Sequence, residues 1–332
     1  SMSHSSAARL CSVIAESLAT AADYPGCVAH SADSPHHPRV LIAAFEGWSD
    51  AGSATTTVLQ HLGELIDAEM LHAIGADGFV DFQVHRPKVT FTDSGSRIID
   101  WPETRLYGTV ERPGVTRAAG ADTVHRIDGT RVQDLYLLAG VEPARDWVAF
   151  AEEVIDVVDS WGIDTVIIWG SMFSDAPHSR PIAVTLTSEN AELRARTGAA
   201  RSDYEGAVGI TTLLDMVLTD AGVPVLCLWA QVPHYVHSAP SPKAALAILD
   251  KLEELLDVVI PRGDMLSEAT EWEANIDRIA AADEDMAHYI RSLEEARDAT
   301  NAPEATGEAI AHEFEKFLSI DPDDDPRAEP LL

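Results

Sequence analysis

Two glycine-bearing loops hold most of the side chains that could do chemistry. The first, Glu46-Gly-Trp-Ser-Asp-Ala-Gly52, leaves the apolar run Val40–Phe45 and enters an amphipathic stretch, Gly52–Ile66. A helix starting there offers unpaired N–H groups and a positive dipole end, which favour an anion. Glu46 and Asp50 oppose a phosphate, however, and the loop has neither a G-x-G-x-x-G pattern nor a Walker lysine. Asp50 as a helix cap and Trp48 as packing is the simpler use of the same residues. The second loop, Gly170-Ser-Met-Phe-Ser-Asp-Ala-Pro-His-Ser-Arg-Pro181, is the richest chemically. Ser171 or Ser174 with Asp175 and His178 supplies the hydroxyl, base and orienting carboxylate of nucleophilic catalysis. No G-x-S-x-G elbow presents the serine, and a triad crowded into one loop rarely achieves its geometry. Arg180 is the best anion anchor in the chain, although an ion pair is the commoner fate of such a residue in an acidic protein.

Two further segments could complete a pocket. Tyr204-Glu205-Gly206 precedes a helical stretch, and His234-Tyr235-Val236-His237 follows an apolar strand. Together they offer an acid, an imidazole and aromatic walls, with a histidine satisfied by a backbone carbonyl as the bland alternative. The candidate cleft is therefore Gly47, Trp48, Asp50, Gly170, Ser171, Asp175, Arg180, Tyr204, Glu205 and His234. No catalytic set, metal or cofactor is expected. His30, His36 and His37 lack a supporting carboxylate or cysteine framework, and His312-Glu313 lacks the second histidine of a zincin. Asp283-Glu-Asp285 and Asp323-Asp-Asp325 lack the glycine and terminal glutamate of a calcium loop. Cys11, Cys27 and Cys227 match no redox or metal spacing, which points to a reducing cytoplasm.

Positioning those loops requires a sheet. Val40–Phe45, Thr165–Trp169 and Val223–Val232 are continuous apolar runs, as expected of strands covered on both faces. Helical patterns at Gly52–Ile66, Trp147–Trp161, Gly209–Ala221 and Lys243–Val259 alternate with them, the rhythm of an α/β fold. Short runs at Ala68–Ala73, Phe79–His85, Val89–Thr92, Arg97–Trp101 and Arg105–Val110 predict an antiparallel excursion, and Asp134–Gly140 a further strand. Residues 1–38 read as a flexible arm with a short helix near Ala8–Ala22, and 39–260 as the α/β domain. Beyond Pro261-Arg-Gly263 the residues Trp272, Ile276, Ile279, Met286, Ile290 and Leu293 form a near-heptad seam, weakened by Asp283. After a turn at Asn301-Ala-Pro303, Ile310, Phe314, Phe317 and Leu318 stripe a second helix, giving a hairpin over 261–320. That hairpin would lie on the core or on a neighbouring subunit, and 321–332 would be an acidic, solvated tail.

The charge narrows the choice of partner. With 23 Lys and Arg against 55 Asp and Glu, a formal charge of -32 repels nucleic acid and anionic membrane surfaces. No apolar run is long enough to span a bilayer, and no signal peptide opens the chain.

Several motifs in order resemble the proteasome assembly chaperone 2 family in its bacterial and archaeal branch. They are Gly47-Trp-Ser-Asp-Ala-Gly52, Asp81-Phe-Gln-Val-His-Arg-Pro87, Gly170-Ser-Met-Phe-Ser-Asp-Ala-Pro177, Tyr204-Glu-Gly206, and Pro233-His-Tyr235 followed by Pro240-Ser-Pro242. The acidic helical extension is similar to that of actinobacterial members. The resemblance spans about residues 38–260 and implies an α/β phosphorylase/hydrolase-like mixed sheet flanked by helices, with a C-terminal helical extension. It also implies a homo-oligomer, a trimer or hexamer, with a proteasome-related protein as partner and no established reaction. The chain departs from many proteasome-docking relatives in its ending, Glu329-Pro-Leu-Leu332, which has no penultimate Tyr. The expectation is a non-catalytic assembly or interaction protein. The alternative is a hydrolase or nucleoside-type transferase using Asp50, Arg180, Glu205 and His234.

Overall fold

The computed structural model describes residues 37–92, 94–110, 122–236 and 240–301. Its strands are β1 (Val40–Glu46), β2 (Glu69–Ile74), β3 (Lys88–Phe91), β4 (Arg97–Asp100), β5 (Thr104–Gly108), β6 (His125–Arg126), β7 (Leu135–Val141), β8 (Thr165–Ser174), β9 (Val184–Thr187), β10 (Val225–Pro233) and β11 (Val258–Val259). Its helices are α1 (Ala54–Leu65), α2 (Trp147–Trp161), α3 (Ala191–Thr197), α4 (Ile210–Asp220), α5 (Pro242–Leu256), α6 (Met265–Ala280) and α7 (Glu284–Asn301). Seven strands make one mixed sheet in the order β2-β5-β7-β1-β8-β10-β9. The middle four, β7, β1, β8 and β10, are parallel; at the flanks β5 and β9 run antiparallel to them, and β2, antiparallel to β5, runs with them again.

The two-residue period of a strand divides the core into two layers. On β1, Ile42 and Ala44 join Ile167, Trp169, Leu228 and Ala230 beneath α1 and α5. Leu41, Ala43 and Phe45 face the other way, with Val166, Ile168 and Cys227 beneath α2 and α4. Because both faces are covered, the central strands lose the alternation of a half-exposed sheet and read as apolar runs. The three runs expected to be buried, β1, β8 and β10, are therefore neighbours, and their C-terminal ends share one rim.

Three local expectations differ from the structure. Phe79–His85 forms turns rather than a strand, with Val80 and His85 donating to Ala76 and Asp81 carbonyls. β8 continues through Gly170–Ser174, so half of the supposed second loop is sheet. Gly170 permits this, since a Cβ there would lie 2.4 Å from the Trp229 ring on β10. Third, the seam through Asp283 breaks. The Asp283 carboxylate accepts the N–H groups of Asp285 (3.0 Å) and Met286 (3.1 Å), ending one helix and capping the next. The described part of the C-terminal extension, α6 and α7, lies against its own chain, one of the two placements expected for it. Lys243 of α5 pairs with Glu273 of α6 at 2.6 Å, and Ile276, Ile290 and Leu293 are buried. The N-terminal arm, the 111–121 loop, the helix expected near 310–318 and the acidic tail lie outside the described residues.

Candidate functional site

The residues that leave each parallel strand build the rim: Gly47–Asp50 after β1, Glu142 after β7, Asp175 after β8 and His234 after β10. Open α/β sheets place ligand clefts there. The β1 loop turns sharply through Gly47 (φ 132°) and a 3-10 turn, Ala51–Ser53, in which Gly52 has φ 63°. This geometry folds Asp50 back over α1. Its buried carboxylate accepts Thr55 N (2.9 Å), Thr55 Oγ1 (2.7 Å) and Thr56 Oγ1 (2.5 Å). The N-terminus of α1, the best anion site in the sequence, is thus already filled by a carboxylate of the chain itself.

The N-terminus of α4 is filled in the same manner. Glu142 Oε1 accepts Ile210 N at 2.8 Å, and Glu142 Oε2 accepts Trp48 N at 3.4 Å. Ser49 Oγ and Thr211 Oγ1 lie 3.1 Å apart and both side chains are buried. Glu142 thereby ties the β1 loop to α4, a role that sequence reasoning missed. Its available signal was an acid directly after an apolar strand, the same placement as Glu46 after Phe45. Above this buried polar floor Trp48 stands 74% exposed, and Tyr204 is 65% exposed with its hydroxyl donated to Ala207 O.

Of the residues that suggested a nucleophilic triad, Ser171, Asp175 and His178 go to different partners, and Ser174 Oγ is buried with no hydrogen-bond partner among the described residues. Ser171 Oγ is buried and donates to Ala51 O at 2.9 Å. Asp175 Oδ1 lies 3.3 Å from His234 Nδ1 and accepts the Tyr289 hydroxyl at 3.4 Å. His178, only 1% exposed, places Nδ1 2.8 Å from the Tyr235 hydroxyl and Nε2 3.0 Å from Asp277 Oδ1. Because a carboxylate only accepts, Nε2 carries the proton toward Asp277 and Nδ1 accepts from Tyr235. Burial first, then the nearby carboxylates, pushes the Tyr235 phenol up to about 12, against the pull of the His178 N–H, so it stays a donor. Arg180 is bonded to both oxygens of Asp298 (2.8 and 2.7 Å) and lies 3.4 Å from Glu294. Its hydrogen bonds to Asp298 raise its pKa, and the same contact lowers that of Asp298. Hence Gly47, Trp48, Asp50 and Ser171 meet around the β1 loop, and Asp175 meets His234 beneath α7. Arg180 is tied instead to α7, Gly170 serves sheet packing, and Glu205 has no bond to either group. Four grooves of about 250 to 670 Å³ are formed by described residues, and none of these candidates lines them.

Comparison with known proteins now decides the lineage. The model of the PAC2 family matches residues 44–280, which contain the rim, the sheet and α6. The chain belongs to the PAC2 family. A PAC2 family protein from Streptomyces avermitilis is 38% identical over 75% of this chain and 98% of its own, with a TM-score of 0.65. A proteasome-assembly chaperone homologue from Mycobacterium tuberculosis is 35% identical over 76% of this chain and 99% of its own, with a TM-score of 0.62. The Pyrococcus furiosus protein PbaB, described as an archaeal proteasome activator, shares the fold alone, at 15% identity and a TM-score of 0.53 over 74% and 95% of the two chains. No curated protein matches the sequence. In this PAC2 member, no described helix is long and apolar enough to cross a membrane.

Proposed function

We propose that this PAC2 family member is a non-catalytic, homo-oligomeric assembly or interaction protein whose partner is a proteasome-related protein in the cytoplasm. The observation that carries the reading is the occupation of the rim by the chain's own side chains. Asp50 and Glu142 take the two helix N-termini, and Asp298 and Glu294 take Arg180. A substrate anion would have to displace a bonded carboxylate at each place, and the -32 charge adds repulsion. The rim instead presents Trp48 and Tyr204 outward, the exposed aromatic type enriched at protein interfaces. The Mycobacterium relative, described as a proteasome-assembly chaperone homologue, points the same way. In this reading residues 39–260 are the α/β domain and 261–320 a C-terminal extension, whose described helices α6 and α7 brace the rim.

The test is affinity capture of the tagged full chain expressed at native level in its own host, with proteasome subunits quantified by mass spectrometry. Proteasome subunits should be enriched with the wild type and depleted with Trp48→Asp. Equal recovery from both, or none from either, overturns the assignment. A melting shift with nucleosides, nucleotides or acyl esters would move the conclusion to a small-molecule enzyme.

A further inference from the structure

Six large apolar side chains stand exposed between residues 84 and 101: Val84, Val89, Phe91, Ile98, Ile99 and Trp101. Most belong to β3 and β4, which pair only with each other and lie outside the main sheet. In register, Val89 opposes Ile99 and Phe91 opposes Arg97, so Val89, Phe91 and Ile99 share one face, which Trp101 continues. A lone two-stranded ribbon is marginally stable in water, and an apolar face of this kind marks an interaction site. Arg86, Lys88 and Arg97 are exposed on the same arm and make no ion pair with any described residue. Against them stand Asp93, between the two strands in sequence, and Asp100, which is held by Arg105 at 2.6 Å. The arm therefore combines grease with unpaired positive charge in a protein of 55 acids.

One surface of the same molecule is complementary. Between α1 and the face of β5 and β7 runs a groove of about 590 Å³, floored by Leu59, Tyr107, Leu137 and Ala139. Glu64 and Asp67 are the charged residues lining it, and no Lys or Arg does so, whereas each of the other three grooves is lined by at least one cation. Asp67 is paired with Arg131, but among the described residues the exposed Glu64 accepts only from Gln60, at 3.2 Å.

We propose that the β3–β4 arm of one copy seats in the α1–β7 groove of a second copy, head to tail. The apolar face of Val89, Phe91 and Ile99 fills the groove, and Arg97, on that same face opposite Phe91, meets the Glu64 rim. Two different surfaces joined in this way close into a ring when the rotation permits. The inference rests on the homo-oligomeric part of the proposed function and gives that part a surface.

The test is the mass in solution of the full chain and its variants, by light scattering across a concentration series. Phe91→Asp with Ile99→Asp kills the arm, and Glu64→Arg with Ala139→Phe kills the groove. Each should weaken self-association by about 100-fold, the loss expected from two central contacts, with the circular dichroism spectrum of the exposed arm variant unchanged. Mixing the two dead variants should restore a two-chain complex and nothing larger, since one competent interface remains. As a control that cannot unfold the core, Arg97→Glu and Glu64→Arg should each weaken the oligomer and together restore it. An oligomer that survives the arm variant, or charge swaps that fail to compensate, overturns the surface but leaves the oligomer standing. A monomeric wild type overturns both. Binding of another protein through the arm while the oligomer persists also overturns the assignment to a second copy.

Discussion

His178 is one of the side chains that dock the C-terminal helices, and its replacement by alanine gives a sharp test. The imidazole is 1% exposed and joins three elements: its own loop, Tyr235 after β10, and Asp277 on α6. Its ring also sits edge-on to Tyr235 and Trp272, at 5.8 and 6.4 Å between centroids. His178→Ala strands the part-buried Tyr235 hydroxyl without its acceptor, costing about 1–3 kcal/mol. Loss of ring packing and the space left behind add about 1–2 kcal/mol. Asp277, 65% exposed, is simply rehydrated, and its share is under about 1 kcal/mol. These parts sum to about 2–6 kcal/mol, and even about 3 kcal/mol, near the lower end, is about two decades in the equilibrium for undocking α6 and α7. Hydrogen exchange followed peptide by peptide should show protection in α6–α7 falling by about 100-fold while β1, β8 and β10 hold their protection. Tyr235→Phe should give an intermediate loss and Asp277→Asn the smallest. The reasoning is refuted if Asp277→Asn exceeds Tyr235→Phe, or if the α6–α7 amides of His178→Ala exchange as slowly as wild type.

Three other perturbations probe the rim and the core. Asp50→Ala removes the acceptor for Thr55 and Thr56 and should cost about 1–2 kcal/mol in urea unfolding, with Asp50→Asn milder because one oxygen remains. Gly170→Ala drives a methyl into the Trp229 ring and should cost about 1–3 kcal/mol, recovered in part by Trp229→Leu; an unchanged unfolding midpoint would refute the packing role. Burial lifts the pKa of Asp215 above its usual 3.8, although hydrogen bonds from Cys227 and Thr219 pull it down. The native state then holds a proton that the unfolded chain has released, so this contribution is complete below pH 3.8 and is lost as pH rises through the folded value. Asp215→Asn should accordingly raise stability at pH 7 and converge with wild type below about pH 4, as read from urea midpoints at both pH values; a larger difference in acid would refute the sign.

The buried strands were legible because double burial erases alternation: Val40–Phe45 and Val225–Val232 could scarcely be anything else. The family was equally legible, since Gly47-Trp-Ser-Asp-Ala-Gly52 survives as a local string. Asp50 as a cap was a local inference, confirmed by Thr55 and Thr56 only five and six residues away. The extent of β8 was not legible, because Ser171 and Ser174 resemble loop residues until the Gly170–Trp229 contact is known. The helix break at Asp283 could be weighed locally, but Ile279 and Met286 keep heptad spacing across it and disguise it.

What the sequence determined on its own is everything set within one element or one turn: strand cores, helix faces, the cap at Asp50 and the acidity of the whole. Tertiary structure alone decided which polar groups meet. Glu142 lies 68 residues from Ile210, His178 lies 99 from Asp277, and Arg180 lies 118 from Asp298. Hydrogen bonds and ion pairs act over about 3 Å, so chain spacing carries no record of partners that far apart. Until the fold brings them together, a carboxylate that fills a helix end is indistinguishable from one that waits for a substrate.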